Sequence, residues 1–308
     1  MDERALSAHA FRQGGVVTVR EAMALGFSRE QVRYLARERG WLRPCYGVVA
    51  PPGVQGSPQM LYLRGVQRRA PYLVASHRTA ARLLGIELLR RPGEPGPRDE
   101  VLELTDPRPE RSGRALRGVR VHRQPLVAGG LPVVVCGVRV TGVAQTLRDL
   151  LHSEPRNTSV AALDSALRRR LISLSAMAAR LEADGRRGRR EAWRAFGLAD
   201  PRSGSVAETE GRLLMHDDGL YPLSQAPVGS RRLDFLFRTE GLGVEIDGAE
   251  THLTRRGQAR DLRRFNELAG CQELRAVLRF TWEDVFVRPA AMLAVIRRHL
   301  ERLRRVEG

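Results

Sequence analysis

Residues 233–252 read LDFLFRTEGLGVEIDGAETH. Two short apolar runs flank the turn-like RTEGLG of residues 238–243, and this pattern predicts a β-hairpin. Side chains alternate faces along a strand, so Leu233, Phe235 and Phe237 are expected on one face of the first strand and Val244 and Ile246 on one face of the second. Only one register parity brings both apolar sets to a single core. That parity gathers Asp234, Glu245 and Asp247 on the opposite face. With the turn centred on Glu240–Gly241, Asp234 lies across from Asp247, and Glu245 stands two residues along. Three carboxylates on one small patch repel each other and call for a positive partner. One candidate is a divalent cation, Mg²⁺ or Mn²⁺, which takes one or two carboxylates together with waters and phosphate oxygens. On that reading Asp234→Asn relieves repulsion and leaves the metal-free protein at least as stable. His252, past Gly248, is placed to move a proton or orient a water. The other candidate is an ordinary ion-pair face, satisfied by arginines of the same domain such as Arg260 or Arg264.

Working outward, SVAETEGRLLMHDDGL (205–220) predicts a helix with Ser205 and Glu208 at capping-box spacing. After the hairpin come a helix over roughly 254–269, a strand at RAVLRF (275–280) and a capped helix through Leu300. The order α-β-β-α-β-α describes an α/β unit around a small mixed sheet, with a boundary before it near residues 198–205.

At the other end, ALSAHAFRQ (5–13) predicts a short helix. TVREAMALG (18–26) and SREQVRYLARERG (28–40) each carry a capping box, Thr18 with Glu21 and Ser28 with Gln31, and each stops at a glycine. Two short helices so closely joined form a helix-turn-helix, and WLRPCYGVVAPPG (41–53) reads as a β-wing. Arg29, Arg33 and Arg37 recur every four residues beside Tyr34, while Val32, Leu35 and Ala36 face inward. Like charges at that spacing repel unless an anion meets them, so this stripe is the candidate DNA-contacting face, with a solvated helix face as the plain alternative. Between the two ends, VLELT, VRVHR and VVVCGVRV predict strands, and SHRTAARLLG, TGVAQTLRDLLH and VAALDSALRRRLI predict helices. Nothing in this middle forms a chemical constellation.

Composition sets limits. The 308 residues carry a formal charge of +17, with 52 basic residues, all arginine, against 35 acids. Residues 51–203 alone hold 27 arginines against 14 acids. A basic surface of that size favours a polyanion partner such as nucleic acid. No apolar run is long enough to span a membrane, and MDERALSAHA lacks the apolar core of a signal peptide. Cys45, Cys136 and Cys271 show neither zinc spacing nor a disulfide framework, so a reducing cytoplasm is expected.

The series S-V-A-E … R-L-D-F … V-E-I-D-G-x-x-x-H … R-D-L-R-R-F-N … L-R-F-T-W-E-D-V over roughly 204–300 resembles the very-short-patch-repair-like branch of the PD-(D/E)xK nucleases. The resemblance implies a restriction-endonuclease-like domain, divalent-metal binding and phosphodiester cleavage in DNA. Carried over, Asp234 is the central metal-binding aspartate, Glu245 and Asp247 occupy the signature, and His252 is the repair endonucleases' histidine. Glu208 is the acid of the first helix, a position that also suits a helix cap. Asp261, Arg264 and Asn266 form a polar motif that supports the site or contacts phosphate. One departure matters: Asp247 stands where the signature has lysine, and the chain contains no lysine. Either His252 and Arg264 supply the missing cation or the domain does not cut. The stretch LAGCQELRAVLRF is also longer than the family's form and lacks its tryptophan. Residues 5–55 resemble the winged-helix domain of AbiEi-type antitoxins, which repress their own operon by binding DNA, and the middle resembles the region that follows it there.

Together these readings describe an α/β chain in three parts: a winged helix-turn-helix (1–55), a basic α/β middle (56–200) and a restriction-endonuclease-like domain (201–308). The expected partner is DNA, with a toxin or operon partner implied by the antitoxin resemblance. The rival to a metal-dependent endonuclease is a non-enzymatic antitoxin or transcriptional regulator whose nuclease-like domain is degenerate.

Overall fold

The computed structural model describes residues 2–94, 96, 100–108, 116, 118–126, 131–247, 271 and 273–305. The fold is α/β, with helices around three small sheets. Contacts gather into two compact units, residues 1–85 with 95–149, and residues 86–94 with 150–308. Residues 150–200, grouped with the middle region from sequence, thus fold with the C-terminal sheet.

The first unit begins with α1 (Glu3–Arg12), β1 (Val17–Thr18), α2 (Val19–Ala24), α3 (Arg29–Glu38) and β2 (Val48–Val49). Asp2 caps α1 by accepting from the amides of Arg4 and Ala5. The two capping boxes expected here form, Thr18 with Glu21 and Ser28 with Gln31. Leu6, Ala10, Val17, Ala22, Phe27, Val32, Leu35, Trp41 and Val49 make one core beneath these helices. Antiparallel pairing of β1 with β2 sets Val17 opposite Val49, and Leu42 bridges Ala50, so residues 41–50 return as a narrow ribbon. α4 (Pro58–Arg69) packs beside that ribbon. A Cβ on its Gly65 would sit 2.9 Å from Cys45 Sγ and 3.3 Å from a Val48 methyl, so only glycine allows the approach. The unit continues through β3 (Val74–Ala75), α5 (His77–Leu83), β4 (Leu102–Asp106), β5 (Val119–Arg123), β6 (Val133–Val135), β7 (Val138–Val140) and α6 (Val143–Ser153), along which the division falls. Its five strands run in the order β5-β4-β3-β7-β6.

The second unit holds α7 (Arg156–Arg168), α8 (Leu174–Glu182), α9 (Arg189–Phe196) and α10 (Val206–Asp217), then β8 (Leu223–Val228), β9 (Arg231–Phe237), β10 (Leu242–Ile246), β11 (Ala276–Phe280), α11 (Trp282–Phe286) and α12 (Pro289–Arg305). Asp164 of α7 is fully buried and accepts from the Asp200 amide at 2.7 Å, Thr209 Oγ1 at 2.8 Å and Arg212 Nη2 at 2.9 Å, which fastens α7 to α10. The sheet order is β11-β10-β9-β8, with β10 and β11 parallel and the other pairs antiparallel. Strand β8, ahead of the hairpin, was not expected from the sequence.

The hairpin forms, but two details differ from expectation. Leu242 pairs with Phe237, so the loop is residues 238–241, and Gly241 (φ +63°) is its last residue rather than part of its centre. The register therefore slides by two residues. The parity survives, because a slide of two keeps every side chain on its face. Phe235, Phe237, Leu242, Val244 and Ile246 do pack together, against Met215 of α10 and Met292, Ile296 and Leu300 of α12. Leu233 does not join them; it packs with Ala226, Val228 and Leu236. The β9–β10 ladder runs from Leu242–Phe237 to Val244–Phe235, and beyond it the Asp234 carboxylate accepts the Ile246 amide at 2.8 Å. Gln225, beside Asp234 on β8, has φ +49°. Regular alternation breaks at this point, and Leu233 turns to the other face.

Candidate functional site

The acidic face crosses the four-stranded sheet as a row. Glu245 and Asp234 stand one step beyond the paired Val244 and Phe235, so they are cross-strand neighbours, and Asp247 is not the residue opposite Asp234. On the other side, parallel pairing sets Glu245 beside Arg279 of β11. Arg279 Nη2 donates to Asp247 Oδ1 at 2.7 Å, and its Nε lies 4.0 Å from Glu245 Oε2. At the β8 end, Gln225 Nε2 donates to Asp234 Oδ1 at 3.2 Å and to Glu208 Oε2 at 2.8 Å. Glu208 comes from the first turn of α10 and also accepts the Gly204 amide at 2.7 Å. Its own amide is capped by Ser205, so Glu208 is part of the helix start and is linked to Asp234 through Gln225. Glu245 is 4% exposed, while Asp234 and Asp247 are half-buried. Asp234 opens into a shallow hollow lined also by Gln225, Ser230, Arg231 and Arg232.

The structure thus joins Glu208, Asp234, Glu245 and Asp247 along one row but divides their partners. Asp247 is engaged by an arginine, and among the described residues no group of three or more His, Cys, Asp or Glu side chains is arranged to hold a metal ion. Of the three carboxylates expected to hold a metal, Asp247 has an arginine partner instead. Two carboxylates still suit Mg²⁺, which keeps several waters and commonly takes only one or two protein carboxylates. Among the described residues, Arg279 is an arginine that compensates part of this charge. His252, Arg260, Asp261, Arg264 and Asn266 lie outside the described residues.

A second feature lies in the first unit. Arg29, Arg33 and Arg37 are exposed along α3, and Tyr34 beside them is 56% exposed. Arg29 and Arg33 line a groove of about 770 Å³ with Arg20 from α2, Arg43 and Tyr46 from the loop before β2, and Arg68 and Arg69 from α4. Arg37 is not part of its lining. Six guanidinium groups there face one carboxylate, Glu21, which is bonded to Arg68 and to the α2 cap. Arg33 pairs with Glu30 at 2.8 Å, with both side chains well exposed. Arg69 stacks over the Tyr46 ring at 5.2 Å, and that ring is 79% exposed. The sequence marked the α3 stripe. Arg20, Arg43, Arg68 and Arg69 were missed because separate elements bring them to one groove.

A buried polar cluster also escaped the sequence. His77 and His122 stack with ring centroids 3.6 Å apart. His122 Nε2 lies 3.0 Å from Glu103 Oε1, and the Arg78 amide donates to the other oxygen of Glu103 at 3.0 Å. Burial pushes the Glu103 carboxyl up, but these bonds and the two nearby imidazoles outweigh it and hold its pKa below the ordinary glutamate value.

No model of a known protein family matches the sequence. Two curated proteins do. The "Uncharacterized protein MT2308" of Mycobacterium tuberculosis (strain CDC 1551 / Oshkosh) is 30% identical over 292 residues, covering 90% of this chain and 98% of its own length. The "Uncharacterized protein Rv2248" of the strain ATCC 25618 / H37Rv matches with the same identity and coverage. The chain belongs to the family of these two mycobacterial proteins. A match of 292 residues is longer than either compact unit, so the family likeness extends into both. Among the described residues no helix is long and apolar enough to cross a membrane.

Proposed function

We propose that the protein binds DNA through the arginine groove of its first unit and hydrolyses phosphodiester bonds, with the help of a divalent ion, at Asp234 and Glu245 of its second. The observation that carries the proposal is the groove, in which six arginines from four segments surround one carboxylate. Such a surface is costly unless an anion fills it, and a duplex backbone supplies charges at regular spacing. Helices α2 and α3 with the β1–β2 ribbon are read as the winged helix, and α3 is its groove-facing helix. The same proposal keeps the protein in the cytoplasm.

For hydrolysis, Asp234 and Glu245 would hold Mg²⁺ or Mn²⁺, which when bound polarises a phosphate and lowers the pKa of an attacking water. Gln225 of β8 donates to the Asp234 carboxylate and is itself held by Glu208 of α10. Arg231 and Arg232, which share its hollow, are positioned to meet a phosphate. His252 and Arg264 keep the roles that the resemblance implies, proton transfer and phosphate contact. The second reading, a non-enzymatic regulator or antitoxin-like repressor with a toxin or operon partner, is favoured by one observation. Glu208, Asp234 and Asp247 accept donors from within the chain, and Asp247 replaces the signature lysine.

Incubating supercoiled plasmid with the full chain, with and without Mg²⁺ or Mn²⁺, tests the proposal. Nicking that requires the ion and disappears in Glu245→Gln is the expected outcome. The ion should also raise the melting temperature of the wild type, by a stabilisation of about 2.7 kcal/mol at 100 times Kd, and not that of Glu245→Gln. DNA binding without ion-dependent cutting would favour the regulator.

A further inference from the structure

We propose that the first unit carries a small-molecule site beside the arginine groove, which takes a small aromatic acid and, through Arg69 and Tyr46, lowers the affinity of the groove for DNA. The effect on DNA rests on the DNA-binding reading given above; the binding of the acid does not. The site is a cavity of about 930 Å³ between α4, β5 and the loop before β2. Tyr62, Val66, Arg69 and Ala70 recur at helical spacing on one face of α4. Val119, Val121 and Arg123, each two residues on, share one face of β5. Cys45 and Tyr46 come from the loop, and Tyr72 adds a third ring. Val66 and Leu73 are buried, whereas Arg69, Arg123 and Tyr46 are exposed, so the cavity has an apolar floor and a basic mouth. Its volume lies in the range of roughly 300–1,000 Å³ typical of ligand pockets, which pair apolar walls with a few placed polar groups.

The charges select the ligand. Among the described residues, Asp106 is the one carboxylate in the lining, and Arg108 already engages it. Arg108 Nε donates to Oδ1 and Nη2 to Oδ2, both at 2.9 Å, and the Arg108 amide donates to Oδ1 at 3.1 Å. These bonds hold the Asp106 carboxyl below the ordinary aspartate value against its burial. Burial pushes the Cys45 thiol up to about 11, so it stays neutral. Arg123 stands next to Asp106 in the β4–β5 register, and Arg69 lies over the Tyr46 ring. Neither is joined to a carboxylate among the described ion pairs. Two such guanidiniums at the mouth suit one anionic head, and a carboxylate matches their planar geometry. Three tyrosine rings and an aliphatic floor suit a flat apolar body behind that head. Arg69 and Tyr46 also line the groove. An acid held by Arg69 removes one of the six groove guanidiniums from a phosphate, so acid and DNA weaken each other's binding by the same factor.

Two dyes titrated into the full chain test the site. Anilinonaphthalene sulfonate is an aromatic anion that fluoresces on leaving water, and phenylnaphthylamine is the same body without the charge. The sulfonate should saturate one site on the wild type and bind Arg123→Met about 10-fold more weakly, the loss of one charge-assisted contact. The neutral amine should bind these two proteins alike. Val121→Trp fills the cavity from an exposed position, so it should bind neither dye and keep a near-normal melting temperature. Fluorescence anisotropy of a labelled duplex then reads the link to the groove. Saturating sulfonate should flatten the salt slope of the wild type by about 0.9, one phosphate contact, and leave that of Val121→Trp unchanged. No saturable sulfonate site on the wild type, or one that Arg123→Met and Val121→Trp both leave intact, overturns the inference. Sulfonate binding that both variants weaken, with a duplex slope indifferent to the dye, overturns the link to the groove. A wild type that holds the sulfonate in the cavity but binds no duplex overturns the DNA-binding reading and leaves the ligand site standing.

Discussion

Replacing Arg29 and Arg43 together by alanine tests the groove most directly. Neither side chain is held by a carboxylate among the described ion pairs, and they enter the groove from different elements, α3 and the loop before β2. Six arginines line the groove, and two of them, Arg33 and Arg68, already have acidic partners. If each arginine neutralises one phosphate, log K should fall against log salt with a slope of roughly −3.6 to −5.4, at about 0.9 per contact. Losing two contacts flattens that slope by about 1.8, whichever end of the range applies. On doubling the salt from 0.1 to 0.2 M, a six-contact wild type weakens ~40-fold and the double variant only ~12-fold. Fluorescence anisotropy with one labelled duplex at four salt concentrations reads the slope. Arg302→Ala with Arg305→Ala, two exposed arginines at the end of α12, serves as the control for net charge and should leave the slope unchanged. Equal slopes for wild type and the groove variant, or an equal flattening in the control, would refute the reasoning and leave the groove a solvated surface.

Three further outcomes follow from particular contacts. Asp164→Ala should cost about 3–5 kcal/mol in urea unfolding, because it leaves the Arg212 guanidinium buried without the acceptor that ties α10 to α7. Asp234→Asn should lose about 1–3 kcal/mol of stability rather than gain any. Its oxygens accept from the Ile246 amide and from Gln225 Nε2, and an amide side chain must turn an N–H₂ toward one of those donors. Glu103 has a folded pKa held below its ordinary value of 4.5, so its contribution is present above that pH and is lost as pH falls through the lower folded value. The melting-temperature gap between wild type and Glu103→Gln should therefore shrink as pH falls below about 4.5; a gap that goes on widening below that pH would contradict the assignment.

How much the sequence determined by itself depends on the range of the rule involved. Capping needs residues three apart, and two of the three expected boxes close, Thr18 with Glu21 and Ser28 with Gln31; at the third, Ser205 caps the Glu208 amide, but the Glu208 carboxylate takes the Gly204 amide instead of that of Ser205. Face parity needs only the period of two, and it correctly grouped Phe235, Phe237, Val244 and Ile246 in one core and left Glu245, between Val244 and Ile246, on the other face beside Arg279. Parity is blind to a slide of two residues, so it could not tell whether Asp234 meets Glu245 or Asp247. The conformation of the short loop ending at Gly241 decided that. Nor could it find Leu233 on the other face, since the break follows from the Asp234 side chain taking the bond of a main-chain carbonyl. The remaining features depend on which distant segments pack together. Arg279 becomes the partner of Asp247 only because β11 pairs with β10 in parallel, and pairing partners far apart in the chain leave no local pattern. The arginine groove has the same origin. A stripe on one helix is legible from its four-residue spacing, but Arg20, Arg43, Arg68 and Arg69 join it only when α2, the ribbon and α4 close around one core.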